Sequence, residues 1–184
     1  KDSTPPTAVE YVYDGVDADL NIVTTQGKLS ANWASSADSH TPIETYIYSI
    51  GTSSGASDVV SWTNVTDTRV TVTTVTLQDG VTYYFNVKTR NAAGLESEVT
   101  SSNGAVFNSS PPSVAITSPT QGATVSGTCS ITGTVSDFSL LSWSLYYGSG
   151  SLPAAWKLIA QGNSNVDNSQ LAVWDTTTLS GLHT

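Results

Sequence analysis

Apolar and polar positions alternate along much of the chain, most clearly between Gly80 and Asn91. There Tyr83, Phe85, Val87 and Thr89 fall on one face, and Tyr84, Asn86, Lys88 and Arg90 on the other. Period two over that length predicts a half-buried strand with an apolar side and a wetted side. The Asp79-Gly80 pair ahead of it signals a turn. The same reading predicts six further strands before residue 108: 7–13, 28–34, 43–50, 59–65, 69–76 and 99–107. Leu29, Ala31 and Trp33 share a face of the second, and Tyr46, Tyr48 and Ile50 a face of the third. Turns are expected at Asp14–Asp19, Gly51–Gly55 and Asn91–Gly94. Seven short strands separated by turns predict a β-sandwich.

Asn108-Ser-Ser-Pro111-Pro112 interrupts the pattern. Two prolines preset an extended, semi-rigid junction. Beyond it the alternation restarts. Strands are expected at 114–118, 128–135, 141–147, 156–160 and 171–174, with Cys129, Ile131, Gly133 and Val135 on one face of the second. The division is a first domain over 1–107, a linker over 108–112 and a second domain over 113–184.

Composition agrees with an all-β chain. Of 184 residues, 55 are Ser or Thr, and charged residues make up 11%, about half the usual share. That mixture is poor in helix formers and suits strands and turns. The net charge is −9, with six basic residues scattered along the chain. Phosphate recognition needs clustered Lys and Arg, so nucleic acid is not an expected partner. No apolar run approaches the ~20 residues of a membrane-spanning helix, so membrane insertion is not expected. One cysteine, Cys129, excludes an internal disulfide framework. The start Lys1-Asp-Ser-Thr-Pro5-Pro6 reads as a linker, and the chain as a mature or excised piece of something longer.

Leu77, Gly80 and Tyr83, three residues apart, resemble the tyrosine corner of fibronectin type III domains. Pro5-Pro6, Trp33, Tyr46 and the Asn91-Ala-Ala-Gly94 turn complete the resemblance over roughly residues 4–107. It implies an immunoglobulin-like sandwich with Trp33, Tyr46, Leu77, Tyr83 and Phe85 in its core, and a Tyr83 hydroxyl bonded to backbone upstream. The second half is similar to bacterial-type immunoglobulin-like surface-protein repeats. Its carriers are Ile116–Gly122, Tyr147–Gly150, Trp156 and Trp174-Asp175-Thr-Thr. Trp143 is the expected core residue there. Such repeats continue past the Gly181 turn, so the second sandwich is expected to be truncated, short of about one strand.

Candidate chemistry is sparse. Nucleophilic catalysis needs Ser or Cys with a His base held by a third group. The two histidines, His40 and His183, fall in a loop and at the end, and Cys129 reads as a small core residue. An enzyme is not expected, nor any cofactor or resident metal. Asp14, Asp17 and Asp19 offer oxygen ligands for calcium, but in the wrong order for an EF-hand. They read as a solvated acidic turn. Trp62, Trp156 and Trp174 are candidates for stacking on sugar rings, with Tyr11, Tyr13 and Tyr84 as further rings, against the alternative that they cover or enter the core. Glycosylation sequons stand at Asn64-Val-Thr66 and Asn108-Ser-Ser110.

The expected function is therefore a non-catalytic spacer, scaffold or assembly module of a larger secreted or cell-surface protein. Its partners would be neighbouring domains of the same polypeptide or other copies of the chain. Two alternatives are a carbohydrate-binding accessory module of an extracellular hydrolase, taking polysaccharide, and a strand-exchanging filament subunit with 7–14 as donor strand.

Overall fold

The computed structural model describes residues 1–184. The chain is all-β and divides into two compact units, Lys1–Ser109 and Ser110–Thr184.

Unit 1 is a sandwich of two sheets. One is antiparallel in the order β1 (Val12–Asp14), β3 (Leu29–Trp33), β6 (Arg69–Val72). The other runs β2 (Ile22–Val23), β9 (Ala105–Phe107), β7 (Thr82–Asn91), β4 (Ile43–Gly51), β5 (Val60–Val65), with β8 (Thr100–Ser101) also on β7. The alternation in β3 and β7 has the expected outcome. Leu29, Ala31 and Trp33 point inward from the first sheet, and Tyr83, Phe85 and Val87 from the second. Tyr46, Tyr48, Ile50, Leu77 and Phe107 join them in one core. Burying each such side chain stabilises the fold by about 1.5–3 kcal/mol before entropy is counted. Trp33 and Tyr46 meet with ring centroids 5.9 Å apart, and Tyr48 and Phe85 at 6.3 Å. The Tyr83 hydroxyl accepts from the Gln78 backbone N–H at 2.9 Å, pinning the turn before β7 to the strand itself.

Three local expectations change. The 99–107 stretch is two strands, because Gly104 takes φ +87° and breaks the line between them. Ser102 Oγ then accepts the Phe85 N–H at 3.0 Å in place of a ladder carbonyl. The first strand is shorter than expected and shifted, Val12–Asp14, although Val9 ahead of it is buried. Asn86, on the side expected to be wetted, is fully buried. The segment Gly51–Asp58 folds back over that side of the sheet and covers it.

Unit 2 has a three-stranded antiparallel sheet, β10 (Ser113–Ser118), β11 (Thr128–Ser136), β14 (Val166–Asp175), and a hairpin of β12 (Trp143–Tyr147) with β13 (Lys157–Gly162). Beside β12, Gly148 N–H donates to Thr184 O at 2.8 Å and Thr184 N–H to Gly148 O at 2.9 Å. Its buried apolar residues are Ile131, Val135 and Ala172, on the paired strands β11 and β14. Trp143 is half-buried, not enclosed: its indole N–H donates to Ser164 O at 3.1 Å, and its ring lies against Gly162. Cys129 is likewise only half-buried.

Candidate functional site

Each Trp singled out for sugar stacking has its own surroundings. Trp62, on β5, is 36% exposed, and Lys88 Nζ sits 5.0 Å from its ring centre. The same ammonium is paired with Glu96 at 2.5 Å, so a cation occupies that ring face. Trp174 is half-buried and packs on Tyr147 and His183, at centroid separations of 5.1 and 6.2 Å. Its ring is enclosed among aromatics. Trp156 differs. It is 53% exposed and lines, with Tyr146, an open depression of about 490 Å³. Leu158, half exposed, follows it on β13 and pairs with Tyr146. Alternation puts Tyr146 on the side of β12 opposite Tyr147, which faces Trp174. Tyr11 and Tyr13 stack on one another at 4.3 Å, so each ring covers a face of the other.

In the expected acidic turn Asp17 and Asp19 are exposed, but Asp14 is not. Asp14 is 3% exposed, because β1 alternates Tyr13 outward and Val12 and Asp14 inward. Its Oδ2 accepts the Gly104 N–H at 3.0 Å, and the Ser102 hydroxyl bonds the same carboxyl. Asp19 lies close by, its Oδ1 accepting the Asp14 N–H at 3.0 Å. Burial raises the Asp14 carboxyl to about 7, helped by the Asp19 charge and opposed by the Ser102 and Gly104 hydrogen bonds. Asp17 takes no part in this group of contacts. Asp14, Asp17 and Asp19 therefore do not converge as a cation cage.

A different set does converge. Ligand atoms of Asp2, Asp38 and His40 lie within 4.8 Å of one another. Asn91, fully buried at the end of β7, holds the two carboxyls there. Its Nδ2 donates to Asp2 Oδ2 at 3.1 Å and Asp38 Oδ2 at 3.0 Å, while its Oδ1 accepts from the Ala93 and Leu95 N–H groups. Thr41 Oγ1 donates to Asp2 Oδ2, and the His40 and Thr41 N–H groups to Asp38 Oδ1. These donors hold both carboxyls below their ordinary range: the Thr41 hydroxyl is the largest influence on Asp2 and the Thr41 N–H on Asp38. Three ligands are fewer than the six to eight oxygens calcium takes. The arrangement's demonstrable work is to tie the N-terminal segment and the 38–41 loop to the Asn91 turn.

Asn86 plays a similar part on the outer side of the second sheet. Its Oδ1 accepts from Gly55 N–H and Ser101 Oγ, both at 2.6 Å. Its Nδ2 donates to Ala56 O at 2.7 Å and Ser49 Oγ at 3.3 Å. Sequence reasoning missed Asn86 and Asp14 as anchors. The available signal was in Asp14, a carboxylate in phase with Val12 on the inward face of a strand.

No protein-family model and no curated protein sequence matches the chain. Among solved structures the chain is similar to the crystal structure of chicken CNTN1 FN1-FN3 domains, at 15% identity and a TM-score of 0.41, over 93% of this chain. It spans 55% of that structure's length.

Proposed function

We propose that this chain is a non-catalytic spacer or scaffold module of a larger secreted or cell-surface protein, with neighbouring domains of the same polypeptide as its partners. The observation that carries the reading is how polar residues on the strands and loops of unit 1 are used. Binding and catalytic sites on sandwiches sit on loops held by a rigid frame. Here Asn86, Asn91, Asp2, Asp38, Asp14 and Ser102 are consumed in fastening loops to strands. Such fastening favours a body that keeps its shape under load. Pulled from its ends in a single-molecule experiment, unit 1 should release in one discrete step, at about 3.5 Å of contour per residue freed. Gradual extension without a step would sink the spacer reading.

The filament alternative with 7–14 as donor loses its support. Val9 and Val12 are buried in unit 1's own core, and β1 pairs with β3 over Val12–Asp14.

A second reading, polysaccharide binding, draws support from one place, the exposed Trp156 beside Tyr146. Aromatic faces open to solvent suit sugar C–H surfaces. Affinity electrophoresis in soluble polysaccharides tests it: retardation of the chain that Trp156→Ala abolishes and Trp62→Ala leaves intact supports binding at this surface. Unretarded migration in every polysaccharide removes it.

A further inference from the structure

Asn103 is exposed and precedes Gly104 in the break between β8 and β9. Its amide nitrogen donates to Asp19 Oδ2 at 3.0 Å and reaches Asn21 Oδ1 at 3.5 Å. Gly104 is demanded by packing. It adopts φ +87°, and a Cβ there would lie 2.7 Å from both Thr82 Cγ2 and Tyr84 Cε1. The missing Cβ has a chemical consequence as well, since nothing branches beside the Gly104 nitrogen to hinder its approach to the Asn103 side-chain carbonyl carbon. On the other side of that nitrogen, Asp14 Oδ2 accepts its proton in a 3.0 Å hydrogen bond. Electrophile and nucleophile are thus neighbours in the chain, and the base is in hydrogen-bond contact with the nucleophile.

We propose that Asn103-Gly104 is a self-modification site, in which Asp14 acts as general base for cyclisation and deamidation of Asn103. The Gly104 nitrogen attacks Asn103 Cγ. The new N–Cγ bond closes a five-membered imide, and the Cγ–Nδ2 bond breaks. The Gly104 proton passes to the Asp14 carboxylate and is returned to the departing nitrogen, which leaves as ammonia, so Asp14 is regenerated. One water then opens the imide, giving aspartate or isoaspartate at position 103. No electrons are exchanged and no co-reactant other than water is required.

Geometry meets the demand on a general base, which must lie within about 2.6–3.2 Å of the atom whose proton it takes. The burial that lifts the Asp14 carboxyl to about 7 matches its basicity to neutral solution. The charged group facing it is Asp19, on the 14–20 loop. From β3, Asn32 contributes an amide bonded to Gly15 O, and the β8–β9 connection contributes the Ser102 hydroxyl and the Gly104 N–H. Modification replaces the Asn103 donor by a carboxylate opposite Asp19 and adds one negative charge to the net −9. A hydrogen bond that steadies the 14–20 loop becomes a repulsion, irreversibly, and the site is a timer for loosening that end of unit 1.

The test is intact-mass and peptide-mapping analysis of the full chain incubated in neutral buffer, beside a synthetic peptide of residues 99–108. A one-dalton gain should localise to Asn103 and appear at least about tenfold faster in the folded chain than in the peptide, within what a positioned general base supplies. Asn103→Gln should abolish it, and Asp14→Asn should slow it to the peptide's rate or below, read as the initial rate at residue 103 because that change sets a second asparagine before Gly15. A folded chain that reacts no faster than the peptide, or a folded Asp14→Asn chain that reacts as fast as the parent, overturns the proposal. Should Asp14→Asn fail to fold, the parent's pH profile decides. Base catalysis by Asp14 gives a rate that rises through its titration and levels off above it, whereas a rate climbing steadily with hydroxide in the folded chain rules Asp14 out.

Discussion

Asn86 makes four hydrogen bonds from a strand position where simple alternation would expose it to water, so its removal takes a partner from four groups at once. Gly55 N–H and the Ser101 hydroxyl lose the Asn86 oxygen, while Ala56 C=O and the Ser49 hydroxyl lose the Asn86 nitrogen but keep each other, Ser49 Oγ donating to Ala56 O at 3.0 Å. Each net bond is worth about 1 kcal/mol and each buried orphan costs more. Asn86→Ala should therefore destabilise unit 1 by about 3 kcal/mol, read as a lower denaturant midpoint with an unchanged slope. Tyr83→Phe, which removes one bond to Gln78 N–H and no ring contact, should cost about 1 kcal/mol in the same measurement. Asp14 works in the opposite sense. Its folded-state value near 7 lies above the ordinary 3.8, so the folded chain holds a proton that the unfolded chain has lost. That contribution is fully present below about pH 4 and lost as pH rises to about 7. Asp14→Asn should flatten stability across that window. Above pH 7 it should raise stability by about 2 kcal/mol, less than full conversion of the shift because water reaches the neighbouring loop. A parent chain whose melting temperature does not fall between pH 4 and 7 would refute the assignment.

At the scale of the strand, legibility followed unbroken alternation more than length: β14 runs ten residues, yet the pattern predicts only 171–174, since Val166-Asp-Asn-Ser-Gln170 holds one apolar residue. β3, β4, β7 and β11 are long enough for period two to stand out, and each lies within a residue or two of its expected place. β2 left no trace, because two residues, Ile22 and Val23, pairing in parallel with Val106 and Phe107 have no period to show. The split between β8 and β9 was hidden for another reason. Ser102, Asn103 and Gly104 break the ladder through a side-chain substitute and a left-handed glycine, neither of which alters the hydrophobic pattern. The anchors of the candidate sites were equally hidden, since the partners of Asn91 lie 87 and 89 residues away at Thr4 and Asp2. Burial also separates the two sequons, which look alike in sequence. Asn64 is exposed at the end of β5, whereas Asn108 is 9% exposed. In a host that glycosylates secreted proteins, the folded chain should gain glycan that Asn64→Gln removes. Residual glycan at Asn108 in that variant would contradict the burial.

At the scale of the molecule, the two units differ in how much apolar surface they enclose. Only three of the nineteen buried hydrophobic residues, Ile131, Val135 and Ala172, belong to unit 2, while Val114, Ile116, Leu141, Val173 and Leu182 each stand more than half exposed. Burial supplies most of the favourable free energy of a small domain, about 25 cal/mol per Å² of apolar area. Unit 2 should therefore open first. On slow heating the chain should show two transitions, the lower belonging to unit 2. Cys129 makes the assignment direct, being the single thiol of the chain, half-buried on β11 of that unit. Its reactivity toward a thiol reagent should rise across the lower transition and stay level across the upper. Tyr83→Phe and Asn86→Ala, both in unit 1, should shift the upper transition and leave the thiol's transition where it was. Both changes moving the two transitions together would show that the units unfold as one cooperative body.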